Sequence, residues 1–505
     1  MNLKFNALYY DSRSCTHPIL APINHTEDAT SVFDRISYDK GASFIRMMKN
    51  MFGEEILRQT TKLYMNKYAW KNTYLDNFID CLEQAYNKYH KGDKDIVDIR
   101  GWTDSWVKTQ GLNIIEPQIT YSQDNKTIES FKIVQSCEKN GDEVFRMQKI
   151  DIAFYYEDSE VSYPSILIQD KEVTEVEELK GKDKPSGYLL NSQHYGYCKI
   201  KLEESSIDYF VDNLRSIKSD LDRNVVYRYL WQNYSSNYIE FSKFFDVVKN
   251  NIVSEPSINA ISNVLLNLRT QLSFYMLPGD EKDKLNSEVY DLTVEIFSSR
   301  TEKHDQNLVA EFLLTFLPDP KLIIEYLSET ADVLVKANYN LTTAQKRRLL
   351  VSAYANPSID EKIKSKFYEE LAEGKGYEEE LLQIACDAAQ EKNTEKWWNN
   401  FLDGTKMSKD KYVEAMETFY ASNPFKIMEE YADRFYAEID GIFLNKHRDY
   451  AEAFLDNLIP LKLGRQHDLE NLQKIYESVD IDRSHFRKCL SIKIEDLEDI
   501  ISKRN

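Results

Sequence analysis

Ile36-Ser37-Tyr38-Asp39-Lys40-Gly41-Ala42-Ser43 places three small residues at the opening of an amphipathic helix, with a tyrosine just ahead of it. Small side chains at such a point let another backbone or a ligand approach closely. Tight helix packing, with Tyr38 as a boundary residue, is the plainer alternative in a chain that holds 33 tyrosines. Downstream, Phe44, Met48 and Met51 recur at steps of four and three, which predicts one apolar helix face between Lys40 and Phe52. Ile56, Leu63 and Tyr64 continue the helical rhythm, and Leu75, Phe78, Ile79 and Leu82 repeat it after a break at Lys71-Asn72-Thr73.

The rhythm then changes twice. Ile150, Ile152, Phe154 and Tyr156 alternate with polar or small neighbours, as do Cys198, Ile200 and Leu202, the two-residue period of half-buried strands. Turn formers such as Pro185-Ser186-Gly187 separate these runs, so residues 112–203 read as an antiparallel sheet or sandwich. From about Ser205 onward the pattern is helical. Ile207, Phe210, Leu214 and Ile217 follow a cap expected at Ser205-Ser206, and Ile258, Ile261, Val264, Leu265 and Leu268 follow one at Ser257. Breakers at Pro256, Pro278-Gly279, Pro318-Asp319-Pro320, Pro357 and Gly374-Lys375-Gly376 keep the helices short. Without a heptad, this stretch fits a helical-repeat array better than a coiled coil.

With 505 residues, 42% of them hydrophobic and 29% charged, the chain has globular composition and the length of roughly three domains. Its 64 basic and 84 acidic side chains leave a net charge of −20, which disfavours nucleic acid as a partner because phosphate binding needs clustered Lys and Arg. The triplet Lys346-Arg347-Arg348 reads as a solvated cluster at a helix end. No apolar run approaches the roughly eighteen residues of a membrane helix, and Met1-Asn2-Leu3-Lys4-Phe5-Asn6 lacks the core of a signal peptide. These features lead to an expectation of a cytoplasmic protein without membrane insertion. The six cysteines are widely spaced and read as reduced thiols. The sequons at Asn24, Asn125, Asn233 and Asn340 read as chance matches.

Motifs that carry chemistry by themselves are missing from the sequence. The eight histidines, His17, His25, His90, His194, His304, His447, His467 and His485, include no His-Glu-x-x-His pair. There is no phosphate loop, no dinucleotide fingerprint and no Gly-x-Ser-x-Gly elbow.

The opening stretch and its flanks nevertheless resemble the family M1 zinc aminopeptidases. Thr16-His17-Pro18-Ile19 is similar to the family's Ser/Thr-His-Pro segment, and Phe33-Asp34-Arg35-Ile36-Ser37-Tyr38-Asp39-Lys40-Gly41-Ala42 to its Phe-Asp-x-Ile-x-Tyr-x-Lys-Gly-Ala element. Phe52-Gly53-Glu54-Glu55 and Asn72-Thr73 fall where the family carries turns. Trp102-Thr103-Asp104-Ser105-Trp106, then Gln110-Gly111-Leu112-Asn113, resembles the end of its catalytic domain. That segment and Pro185-Ser186-Gly187-Tyr188-Leu189-Leu190-Asn191 look most like the lysyl/alanyl-type branch.

The resemblance implies a mainly α fold with a small β domain. Residues 1–111 would be the C-terminal helical lobe of a thermolysin-like catalytic domain, incomplete here. Residues 112–203 would be a β-sandwich, and residues 204–505 an α-helical superhelix of HEAT/armadillo-like repeats. It implies one catalytic residue, Tyr38, whose hydroxyl would stabilise the oxyanion of the tetrahedral intermediate opposite the zinc. It gives no substrate-binding residue and no metal ligand in this chain. The family's zinc motif and its Gly-x-Met-Glu-Asn amine-binding strand do not occur in the sequence. The expectation is therefore the C-terminal part of a metalloaminopeptidase acting on peptide N-termini, inactive alone, with a separate chain carrying the zinc-binding lobe as an expected partner. The alternative is a non-catalytic helical-repeat scaffold, derived from an aminopeptidase, that binds a peptide ligand.

Overall fold

The helix expected ahead of Phe52 forms as Gly41–Phe52 and buries Ser43, Phe44, Met47, Met48 and Phe52. It belongs to a computed structural model that describes residues 2–23, 32–91, 97–157, 161–372 and 376–504. The chain divides into two compact units, residues 1–252 and 253–505. Among the described residues no helix is long and apolar enough to cross a membrane.

The first unit begins with helices α1 (Asn2–Asp11), α2 (Gly41–Phe52), α3 (Glu54–Tyr68), α4 (Leu75–Tyr89) and α5 (Ile99–Val107). Their apolar faces meet around Phe44, Phe52, Tyr86 and Trp102. The Trp102 ring lies 5.2 Å from Phe44 and 5.0 Å from Phe52. Ile45, Leu63 and Met65 on these helices, and Trp70 and Tyr74 in the connection from α3 to α4, are exposed.

Among the described residues seven strands follow: β1 (Asn113–Tyr121), β2 (Ile128–Cys137), β3 (Gln148–Tyr155), β4 (Ser165–Ile168), β5 (Val173–Glu175), β6 (Gly187–Leu190) and β7 (Cys198–Ile200). They form a four-stranded sheet in the order β5-β2-β1-β7 and a three-stranded sheet in the order β4-β3-β6. Two expectations are corrected here. β7 pairs parallel to β1, because it enters from the second sheet and continues directly into the helix at Glu204. β3 is not half-buried, since Ile152, Ala153, Phe154 and Tyr155 are all inside. Helix α2 packs against β3, and the Tyr209 ring stacks on Tyr155 at 5.7 Å, so both faces of the strand are covered.

Helices α6 (Glu204–Asn213), α7 (Asp220–Ser235) and α8 (Phe241–Asn251) complete the unit. The cap expected at Ser205-Ser206 is absent, because the helix starts at Glu204 without a side-chain cap. Ser206 is instead inside the helix and accepts a hydrogen bond from the Tyr188 amide at 3.2 Å. Its hydroxyl serves the neighbouring strand rather than its own helix end.

In the second unit, helix α9 (Ile258–Thr270) is capped as expected, the Ser257 hydroxyl accepting from the Ala260 amide. Helix α10 (Asp280–Ser299) follows. Further on, next-but-one helices pack in a row through Pro320–Leu327, Thr343–Ala355, Tyr377–Ala388, Lys409–Thr418 and Arg448–Leu458. The core around the later helices of this row is aromatic, with Trp398, Phe401, Phe419, Tyr431 and Phe454 buried together. Lys346, Arg347 and Arg348 lie within the helix Thr343–Ala355 and pair with Glu329, Glu378 and Glu311. They brace neighbouring segments instead of forming a solvated helix end.

Candidate functional site

Tyr38 does not precede the helix as a loop residue. Ile36–Lys40 forms a wide π turn that runs into α2, with the Gly41 amide donating to the Ile36 carbonyl. Such turns are rare and recur at functional positions. Asp34 fixes its start: Oδ1 accepts from the amides of Ile36 at 2.8 Å and Ser37 at 3.3 Å. Oδ2 of the same carboxylate lies 3.0 Å from His17 Nε2, and His17 Nδ1 lies 2.8 Å from the Pro18 carbonyl. One side chain therefore joins the Thr-His-Pro segment to the tyrosine-bearing turn.

The outer face of this turn is open. Tyr38 is 58% exposed and meets Phe33 edge-on at 5.1 Å. A Cβ added at Gly41 would find nothing within 4 Å, and Ala42 and Ile45 are exposed. The close approach expected over Gly41 and Ala42 is therefore not made by any described part of the chain. Their smallness leaves room beside the phenol.

The inner face is a buried ionic post. Lys40, 1% exposed, places Nζ 2.9 Å from Asp11 Oδ2 and donates to the Gly111 carbonyl at 3.1 Å. Asp11 Oδ1 accepts from Thr16 Oγ1 at 2.6 Å and from the Gly111 amide at 3.1 Å. Burial lowers the Lys40 ammonium from its ordinary value, against the raising effect of Asp11. Asp39, also buried, lies 3.5 Å from Arg35 Nη1. Gly111 has φ +79°, and a Cβ there would come 2.4 Å from Gly141 Cα, so only glycine fits. Asp11, Asp34 and Gly111 were not singled out as positioning residues from the sequence. The local signal was an aspartate two residues ahead of Ile36, a turn-capping spacing.

Loop Asn191–Gly196 lies beside α1 and α2. Lys4 Nζ donates to the carbonyls of His194, Tyr195 and Gly196 at 2.6, 3.0 and 3.2 Å. Burial, helped by Arg46, pushes this ammonium down to about 7. Arg46 donates to the Gln193 carbonyl at 3.1 Å and lies 5.0 Å from the Tyr195 ring. His194 is buried at φ +52° and stacks on Phe5 at 4.8 Å; burial and the nearby cations hold its pKa well below the ordinary value.

The resemblance implies zinc in the complete family enzyme and assigns no metal ligand to this chain. Among the described residues no three His, Cys, Asp or Glu side chains form a group able to hold a metal ion. His17 is clamped by Asp34 and Pro18, and His485 lies against Glu452 and Cys489 through the same ring nitrogen. His25 and the sequon at Asn24 lie outside the described residues. The sequon residue Asn233 is buried, donating to the Ile200 carbonyl at 2.8 Å, and offers no glycan attachment point.

Two family models match this chain. One, described as the peptidase family M1 domain, matches residues 1–106, and the other, described as an ERAP1-like C-terminal domain, matches residues 188–499. Aminopeptidase N of Streptomyces lividans is 26% identical over 285 residues, 55% of this chain and 32% of the relative. Probable aminopeptidase 2 of Sulfurisphaera tokodaii is 33% identical over 137 residues, 27% of this chain and 18% of the relative. Glutamyl aminopeptidase of Rattus norvegicus is 24% identical over 208 residues, 41% of this chain and 20% of the relative. The matched stretch is thus at most 32% of the length of these relatives.

Proposed function

From the premise that this chain belongs to the family M1 aminopeptidases, we propose that it is the part of such an enzyme that brings the transition-state hydroxyl, on Tyr38, to the release of N-terminal residues from peptides. The observation that carries the reading is the placement of that phenol. It stands exposed beside Gly41 and Ala42 on a turn held by Asp34 outside and by Lys40 inside. A donor fixed in this way can stabilise an oxyanion that develops only in the transition state, without reorganising when the charge appears.

In this reading residues 1–111 are the helical end of a thermolysin-like domain, 112–203 a β-sandwich and 204–505 a superhelix. The row of next-but-one helices between Pro320 and Leu458 supports a HEAT- or armadillo-like array. The zinc-binding lobe is assigned to polypeptide outside these 505 residues, since the sequence holds no His-Glu-x-x-His, and the setting to the cytoplasm. The chain alone is then inactive.

Co-expression with a polypeptide carrying the zinc-binding lobe tests this. The mixture should release 4-nitroaniline from aminoacyl anilides, and the chain alone should not. A folded, zinc-loaded complex without turnover rejects the enzymatic reading. Specific peptide binding by that silent complex would establish the second reading, a scaffold built on the helical row.

A further inference from the structure

The second unit contains another wide π turn, Gln271–Tyr275, joined to the end of α9. It packs against α9, α10, the final helix Ser484–Arg504 and the short 3-10 turn Leu461–Leu463. Among the cations of these four elements are Arg269, Lys282, Arg504 and Lys462. Arg504 is built in. Its guanidinium donates to the Phe274 carbonyl at 2.9 and 2.6 Å, to Leu463 at 2.8 Å and to Lys462 at 2.8 Å. Gly464, at φ +60°, makes room for it, because a Cβ there would come 2.2 Å from Arg504 Nη1.

The other three cations are not spent on such bonds. Lys462 Nζ lies 5.8 Å from the Phe274 ring and Lys282 Nζ 5.5 Å from the Phe425 ring. Arg269, Lys282 and Lys462 make no ion pair with a described carboxylate, although the chain carries 84 acidic residues. Lys346, Arg347 and Arg348, by contrast, are each paired. Burial lowers the proton affinity of Lys282, and Lys462 and Arg504 lower it further, against Asp283 alone. Lys462 is lowered by burial and then by Arg269, and Arg269 by burial and then by Arg348. These charges repel one another in a half-buried place, where screening by water is weak.

We propose that Arg269, Lys282 and Lys462, on the platform made by Arg504 and the Gln271–Tyr275 turn, bind a doubly charged oxyanion of the phosphate class. Three uncompensated cations favour a dianion over a single carboxylate, and guanidinium and ammonium donors suit its oxygens. Arg269 is exposed and Lys282 and Lys462 are half-buried, so an anion can reach them from solvent. The site is independent of Tyr38 and of any metal, and stands or falls separately from the aminopeptidase reading.

Thermal melting of the whole chain in chloride, acetate and inorganic phosphate, at one ionic strength and pH 7.5, tests it. Phosphate should give a saturable rise of about 5 °C near a hundredfold excess over Kd, and acetate should not. Lys282→Gln/Lys462→Gln should abolish the rise, yet melt higher than the parent in chloride because the repulsion is gone. A rise matched by acetate, or kept in this double variant, overturns the site. Should the double variant fail to fold, Arg269→Gln, at an exposed side chain, must weaken the phosphate midpoint at least tenfold, and an unchanged midpoint overturns the site.

Discussion

Lys40 closes the turn yet points its charge into the protein, where Asp11 meets it at 2.9 Å. Breaking a buried pair on one side leaves the other charge unpaired, so Lys40→Met should cost about 3–5 kcal/mol in urea unfolding. Asp11→Asn combined with Lys40→Met should recover part of that loss, because no orphaned charge then remains. Lys4 gives a pH signature. Its ammonium falls from the ordinary 10.5 to about 7 in the folded chain. Between those values the unfolded state holds more protons, so stability rises with pH from about 7 towards 10.5. Lys4→Met should flatten that rise, which for one group reaches about 1.4 kcal/mol per pH unit, as read from urea midpoints at pH 7.5–10. The sequence made Tyr38 and Lys40 visible as one motif. It could not show that Asp11 and Gly111 complete the support, because those contacts span 29 and 71 positions of chain.

At the level of elements, apolar spacing sufficed wherever one face decided the outcome. The helix Gly41–Phe52 and the cap at Ser257 were readable for that reason. Reading failed where tertiary partners intervened: β3 is buried on both faces, and Ser206 gives its hydroxyl to Tyr188 instead of capping. The π turn at Ile36–Lys40 left no periodic signal, since five residues are too few to show a changed period. A buried carboxylate ties β3 to α7. Asp222 Oδ2 accepts from the hydroxyls of Tyr155 and Tyr163, each at 3.0 Å. Burial raises the pKa of this carboxyl, more than its hydrogen bonds lower it. Asp222→Asn keeps an acceptor for both hydroxyls and removes the buried charge, so its stability at pH 7 should match or exceed the parent. Asp222→Ala orphans the Tyr155 hydroxyl and should cost about 2–4 kcal/mol. Chemical denaturation of the two variants side by side checks the contrast.

For the whole molecule, two compact units in one chain predict separable folding. Residues 253–505 expressed alone should give a helical far-UV spectrum and a cooperative melt, because the aromatic core around Trp398 lies entirely within them. The family was legible from motifs concentrated in the first 111 residues. The cation cluster was not, since its four side chains lie between positions 269 and 504 and their elements meet only through packing. On the proposed reading Tyr38 supplies the transition-state hydroxyl. Its most direct test is steady-state hydrolysis of an aminoacyl anilide by the reconstituted enzyme with Tyr38 and with Tyr38→Phe. In the variant kcat should fall about 10²–10³-fold with KM nearly unchanged and the melting temperature kept, as for loss of one oxyanion donor. An unaltered kcat in a folded, zinc-loaded Tyr38→Phe enzyme would contradict it.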